Sequence, residues 1–329
     1  MNMKRVLLPF GFFFMFFYTY AQEVFPIYSD YLSDNVFLIH PSAAGIGNCG
    51  KLRFTYRQQW VGEQEAPSLQ TLSFHTKITE KAAVGAILFN DENGFHAQRG
   101  IIGSFAYHLN FGREIGSEQL SFGISFMYLQ NTFDQRNFIS SIPDPAISQG
   151  VESSGYYNAD FSVAYHYFNA YSYFTIKNLL LSPRDFYNNE YESLNLRRHL
   201  LTVGYFFDRS RKENSFQFEP SVMGQYIEST NEIFVDFNFK VYKDFKDNKQ
   251  IWAVLSYRQN FENSEIEGFK QITPIVGINF HKFMVSYTYS NQVGDIVYDA
   301  SGNHQLTIGY NLFCEKRRST GCPNVNSKF

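Results

Sequence analysis

Hydrophobic side chains recur at every second position through most of the chain. Between 120 and 128, Leu120, Phe122, Ile124, Phe126 and Tyr128 share one face, with Ser121, Gly123 and Ser125 on the other. At 233–241, Ile233, Val235, Phe237, Phe239 and Val241 oppose Asp236, Asn238 and Lys240. The segments 283–290 and 305–312 divide in the same way, with Phe283, Val285 and Tyr287 against Ser286 and Thr288, and Leu306 and Ile308 against Gln305 and Thr307. Successive strand side chains point to opposite faces, so a period of two predicts strands with one greasy and one wet side. Fourteen such segments are predicted, near 51–60, 68–78, 82–91, 98–111, 117–130, 157–168, 170–179, 197–208, 214–228, 231–243, 249–261, 268–280, 282–291 and 303–314. Their lengths cluster around the roughly ten residues that a tilted strand needs to cross a bilayer.

The connections alternate too. Those at 79–81, 168–170 and 281–282 are short, whereas 131–156, 180–196 and 292–302 are long and polar. Short turns on one rim and long loops on the other are the pattern of an outer-membrane barrel, with the short rim periplasmic. The expectation is an all-β fold, a transmembrane antiparallel β-barrel of about fourteen strands. An even strand number then puts both termini in the periplasm. A β-sandwich also alternates, but its strands are usually about five or six residues long, and it needs no excess of aromatics.

Composition sharpens this picture. Aromatics make up 19% of the 329 residues, and charged residues only 18%, against about 25% in ordinary soluble chains. Beyond the N-terminus no apolar run reaches the length of a spanning helix, and lipid otherwise admits only closed barrels. Charged Arg53, Arg57, Asp160, Asp236, Lys240 and Arg258 fall on the polar faces. They are expected in the lumen, because a Lys or Arg facing the bilayer midplane costs about 2–4 kcal/mol. Trp60, Tyr128, Tyr167 and Tyr289, near strand ends, are candidates for interfacial girdles. The formal net charge of -3 and the lack of a basic cluster give no case for nucleic acid as a partner.

The N-terminus has a secretory pattern: Lys4 and Arg5, an apolar run from Val6 to Phe17, and small residues at Thr19 and Ala21. Pro9 and Gly11 interrupt the run, which favours cleavage before Gln22 over a helical anchor. The organisation read from the sequence is therefore a signal peptide at 1–21, a periplasmic segment at 22–50, a barrel at 51–314 and a periplasmic tail at 315–329. The segment at 22–50 can either plug the lumen or meet a periplasmic partner. Cys314 and Cys322 can close a disulfide in an oxidising compartment, leaving Cys49 over. Three unpaired thiols fit the sequence equally well.

Residues 22–94 carry more specific blocks: QEVFPIYSDYLSDNVFLIHPSAAG, then RQQW at 57–60, PSLQTLSFH at 67–75 and VGAILFNDENG at 84–94. In order and spacing these resemble the PorP/SprF family of outer-membrane proteins linked to type IX secretion and gliding. The matching positions of most interest are Pro41, Gly45, Arg57, Gln59, Trp60, His75, Asn90, Asp91 and Gly94. His40 stands where the family usually has Asn, and Ser42 where it has Ala. The resemblance implies a non-enzymatic barrel in the outer membrane of a Gram-negative bacterium, in contact with lipid and with type IX secretion components in the periplasm. It also implies export or surface anchoring of a large adhesin-like protein held by extracellular loops. A porin-like solute channel is the alternative, with Arg53, Arg57 and Asp236 setting preference in the lumen. NDENG at 90–94 reads as a loop between strands.

Catalytic arrangements are lacking. There is no GxSxG elbow, phosphate loop or HExxH, and no cofactor or metal site is expected. Ser73 and His75 share one strand face, but a pair of this kind is commonplace, and His75 reads as a lumen histidine held by hydrogen bonds. Asp134, Asp144 and Glu152 offer carboxylates to a calcium ion, although scattered loop acids ordinarily just face water.

Overall fold

The computed structural model describes residues 31–314, apart from 48, 62–65, 112–117, 137–149, 183–194, 208–215, 246–248, 262–268 and 294–301. The expected signal peptide and C-terminal tail lie outside the described residues. Fourteen strands follow in order: β1 (Gly50–Gln59), β2 (Ser68–Lys77), β3 (Ala82–Asn93), β4 (His96–Asn110), β5 (Glu118–Asp134), β6 (Val151–Tyr167), β7 (Ala170–Lys177), β8 (Arg198–Tyr205), β9 (Phe216–Ile227), β10 (Glu232–Phe245), β11 (Lys249–Asn260), β12 (Lys270–Phe280), β13 (Phe283–Gln292) and β14 (Asn303–Leu312). Each pairs antiparallel with its neighbours, and β14 returns to β1 from Gly50↔Leu312 to Gln59↔Asn303, closing the barrel. Closure removes every sheet edge, which is the condition for strands in lipid.

The faces divide as the alternation predicts. Phe126 is 65% exposed on the outer wall. Its strand neighbours Ser125 and Ser121 are buried inside. Arg53, Arg57, Asp160, Asp236, Lys240 and Arg258 all point inward and are buried. Arg258 grips Asp236 with two bonds, Nε to Oδ1 at 2.6 Å and Nη2 to Oδ2 at 2.8 Å, and Lys177 lies 3.4 Å from Asp160. Trp60, Tyr128 and Tyr167 are exposed on the outer wall, while Tyr289 is half covered and packs on His304.

The alternation signal fails where strands leave the membrane. β5 continues to Asp134 and β6 begins at Val151, so the connection expected at 131–156 is shorter than its sequence suggests. Residues there, such as Asn131, Thr132 and Ser153, are polar on both faces. A hairpin that rises into water needs no greasy side. NDENG is corrected for the same reason: β3 runs through Asn93 and β4 starts at His96. Only Gly94 and Phe95 turn the chain, Gly94 at φ +59°. Two-residue hairpins at 168–169 and 281–282 sit on the opposite rim, with φ +47° at Phe168 and +53° at His281. That rim also carries the start of β1 and the end of β14.

Cysteine pairing is corrected as well. The disulfide joins Cys49 to Cys314, 265 residues apart, which overturns both a Cys314–Cys322 bridge and three free thiols. The register Gly50↔Leu312 brings the residue before β1 beside the residues after β14. Local spacing carries no trace of this contact, which exists only once the barrel closes.

Candidate functional site in the barrel lumen

Eight strands make a barrel whose own side chains fill it, and larger barrels leave space. Here the space is taken by the chain itself. From Tyr31 to Ile46 it runs inside the cylinder, almost wholly buried, with short 3-10 turns at Val36–Leu38 and Pro41–Ala43. This plug contains Pro41 and several short polar residues, so it cannot satisfy its backbone through a long helix of its own. Its buried polar groups need partners, and the hydroxyl-rich wall supplies them.

At its start the Tyr31 hydroxyl donates to Asp236 (3.2 Å) and accepts from Asn238 (2.8 Å). Asp34 is held by Lys51 Nζ at 3.1 Å and Arg53 Nη2 at 2.9 Å, all three buried. Burial raises the Asp34 carboxyl, but Lys51, Arg53 and Lys240 outweigh it and hold the group at about 2. Asn35 donates to Ser73 at 2.9 Å. His40 is clamped between Thr175 (Nδ1, 2.6 Å) and Thr202 (Nε2, 2.9 Å) and stacks on Tyr173. Burial, reinforced by Lys177, pushes the His40 imidazole down to about 3, so it is neutral; the two hydroxyls take whichever role each ring nitrogen leaves open. Further along, the Ser42 amide donates to Ser162 at 2.6 Å, and the Ala44 carbonyl faces His108 Nε2 at 2.9 Å. Lys177 and Lys240 reach the carbonyls of Leu38 and Leu32.

Shape matches as closely as polarity. Tyr31, Phe37, Leu38, Ile39 and Ala44 pack with wall residues Ala83, Ile87, Ala106, Leu200 and Met223. A Cβ on Gly123 would stand 2.4 Å from the carbonyl carbon of Pro41 and 2.2 Å from the Ser42 nitrogen, so only a bare strand position admits the second turn. A cavity of about 100 Å³ remains beside the plug, near Glu219, Tyr171 and Tyr242. It has room for a few water molecules. Glu219 accepts from both tyrosines.

The sequence-selected residues divide among three places. Pro41, Gly45 and His75 meet at the plug, where Gly45 donates its amide to His75 Nδ1 at 2.9 Å. Ser73 and His75 are thus each engaged by the plug. Arg57, Gln59 and Asp91 line the lumen nearer the loop rim, and the Gln59 amide donates to the Pro67 carbonyl at 2.9 Å. Trp60 and Asn90 face outward, with Asn90 accepting from Arg99 at 2.8 Å, and Gly94 forms a turn. Asp134 is held by Arg136 at 2.9 Å, and Asp144 lies outside the described residues. Among the described residues no three His, Cys, Asp or Glu side chains group as metal ligands. The residues whose roles sequence reasoning missed are Asp34, whose partners Lys51 and Arg53 stand on the next strand, and His40, whose partners Thr175 and Thr202 lie far along the chain.

The pattern of type IX secretion system membrane protein PorP/SprF matches residues 21–310. The chain belongs to the PorP/SprF family. For a PorP/SprF protein, membership of a type IX secretion family and a closed antiparallel barrel together place it among secretion-associated outer-membrane barrels. No curated protein matches it. Among solved structures, this PorP/SprF chain is similar to the CymD monoaromatic hydrocarbon channel, at 11% identity and a TM-score of 0.47 over 84% of this chain and 91% of that one. It is also similar to a Pseudomonas aeruginosa FadL homologue, at 9% identity and a TM-score of 0.48 over 83% and 93%.

Proposed function

We propose that this protein is a non-enzymatic, plug-filled anchor of the type IX secretion apparatus in the outer membrane of a Gram-negative bacterium. After removal of the signal peptide both termini face the periplasm, where the residues before Tyr31 meet other secretion components. The opposite rim holds a large adhesin-like protein during its export or surface attachment. No cofactor or metal takes part.

One observation carries this reading: the plug is bonded to β1, β2, β4, β6, β7, β8, β10 and β13. A solute path would have to pass that fitted segment, which makes the channel the weaker reading. A rigid closed barrel instead suits a role as scaffold. The test has two arms. Purified protein in planar bilayers should be silent, and steady large openings would restore the channel. Replacing 137–149 by a short Gly-Ser linker should leave the barrel assembled but impair surface attachment of the co-produced adhesin. Normal attachment would remove the loop's assigned role.

A further inference from the structure

On the outer wall the greasy surface ends abruptly across four adjacent strands. Gln70 of β2, Asn90 of β3, Arg99 of β4 and Gln130 of β5 are directly paired neighbours in one row. The next outward row toward the rim where β1 starts is Leu72, Leu88, Ile101 and Tyr128, with Leu88 47% and Ile101 52% exposed. On β5 the apolar outward positions run from Leu120 to Tyr128. At about 3.4 Å per residue this is about 27 Å along the strand, or roughly 21 Å along the barrel axis at a tilt of about 40°, close to the lipid band of about 25 Å. The polar row therefore lies at headgroup level, on the rim opposite the start of β1 and the end of β14.

The row also borders a shallow depression of about 500 Å³, wide open to its surroundings, formed by Gln70, Asn90, Arg99 and Gln130 with Leu88, Ile101 and Tyr128. Asn90 Oδ1 accepts from Arg99 Nε at 2.8 Å, and Glu92 accepts from Asn90 at 3.1 Å and lies 3.6 Å from the same guanidinium. Arg99 nevertheless keeps 65% of its side chain exposed. Planar amides donate and accept, a guanidinium donates in a fixed fork and a carboxylate accepts. Together with an aromatic ring, that set suits the hydroxyls and C–H face of a sugar. The flanking carboxylate makes a lone phosphate a poorer fit.

We infer that this depression binds the sugar headgroup of a membrane glycolipid, with its acyl chain lying over Leu88 and Ile101. The inference rests on the proposed orientation, which puts this rim at the outer leaflet, the glycolipid leaflet of a Gram-negative outer membrane.

The test is native mass spectrometry of the full mature protein in mild detergent, titrated separately with a phosphate-free glycolipid (diglycosyl diacylglycerol), phosphatidylethanolamine and phosphatidylglycerol. Wild type should retain the glycolipid about tenfold better than either phospholipid. The triple variant Asn90→Ala, Arg99→Ala, Gln130→Ala and the milder Tyr128→Leu should lose that preference. Gln259→Ala, outward on β11, should keep it. Heat-modifiable gel migration establishes that each variant still forms a barrel. Equal retention of all three lipids by wild type, or a preference that survives the triple variant, overturns the site. A phospholipid preference that the triple variant abolishes overturns the glycolipid assignment. Labelling of a C-terminal tag on intact cells reads the orientation independently, so a failed orientation is told apart from a failed site.

Discussion

Gly45 donates its backbone amide to Nδ1 of His75 across 2.9 Å, tying the end of the plug to β2 through two residues thirty apart in sequence. The bond makes Nδ1 an acceptor, so the ring proton sits on Nε2. Gly45 has φ +71°, and a Cβ there would lie 2.4 Å from that of Ala83. Gly45→Ala therefore combines left-handed backbone strain with a clash, each costing about 1–3 kcal/mol. The expected result is a barrel that still forms while residues 31–46 lose protection from hydrogen exchange. Unchanged protection would mean that the plug relaxes around the added methyl.

Asp34 offers a larger effect. It is the shared counter-ion of buried Lys51 and Arg53. Removing one partner of a buried ion pair costs about 3–5 kcal/mol, because the remaining charge has no compensation. Asp34→Ala should lower the urea midpoint of the detergent-folded protein strongly. Asp34→Asn should behave similarly but less severely, because an amide still accepts from Arg53. If both variants unfold at the wild-type midpoint, the ion cluster contributes nothing.

Docking of the plug should depend on acidity. His40 is held at about 3 when docked, against about 6.5 when free in water. A released plug thus binds a proton that the docked plug refuses below pH 6.5. Stability of docking is full above that value and falls progressively towards pH 3. Asp34, at about 2 docked, adds a further loss only once pH drops below about 4. Exchange protection of 31–46 measured from pH 8 to pH 4 should be flat above neutrality and decline below it. His40→Asn should flatten the upper part of the decline, and an identical slope in that variant would assign the effect to another group.

Much of the barrel was legible because its physics is local. Leu120 to Tyr128 face lipid and Ser121 to Ser125 face the lumen, so two-residue alternation alone locates such strands to within a few residues. The signal vanished at Asn131 and Ser153, where both sides of the hairpin meet water. The plug was harder to read. Pro41, Gly45 and His75 were singled out, but nothing local told that Gly45 meets His75, or that His40 reaches Thr175 and Thr202 on two strands far along the chain. Cys49 and Cys314 show the same limit at its extreme, since their contact depends on the last strand finding the first.

That contact leads to a further expectation. The disulfide staples the β1–β14 seam at the rim where β1 begins and β14 ends. Cross-links of this kind typically contribute about 2–4 kcal/mol, chiefly by restricting the unfolded chain. Cys49→Ser should therefore lower the thermal or urea midpoint while leaving plug protection at neutral pH unchanged, because the plug is bonded independently to the wall. Reductant should reproduce the shift in the wild type and have no effect in the variant. A wild type insensitive to reductant would show that the staple carries no stability.

The lipid-facing assignment itself is open to a direct comparison within one strand. Phe126 and Ser125 are sequence neighbours, yet Phe126 is 65% exposed on the outer wall and Ser125 is buried inside, 2.7 Å from Ser104. Phe126 sits well within the apolar stretch of β5, where an outward Arg costs about 2–4 kcal/mol. Phe126→Arg should thus impair folding into vesicles but matter little in a detergent micelle, whose surface adapts around the charge. Phe126→Leu, which keeps an apolar surface, should fold in both. Ser125→Arg should fail in both media, because the added bulk meets Ser104 and the polar wall whatever surrounds the barrel. If Phe126→Arg folds into bilayers as well as Phe126→Leu does, the aromatic face does not meet hydrocarbon, and the membrane placement of the cylinder fails with it.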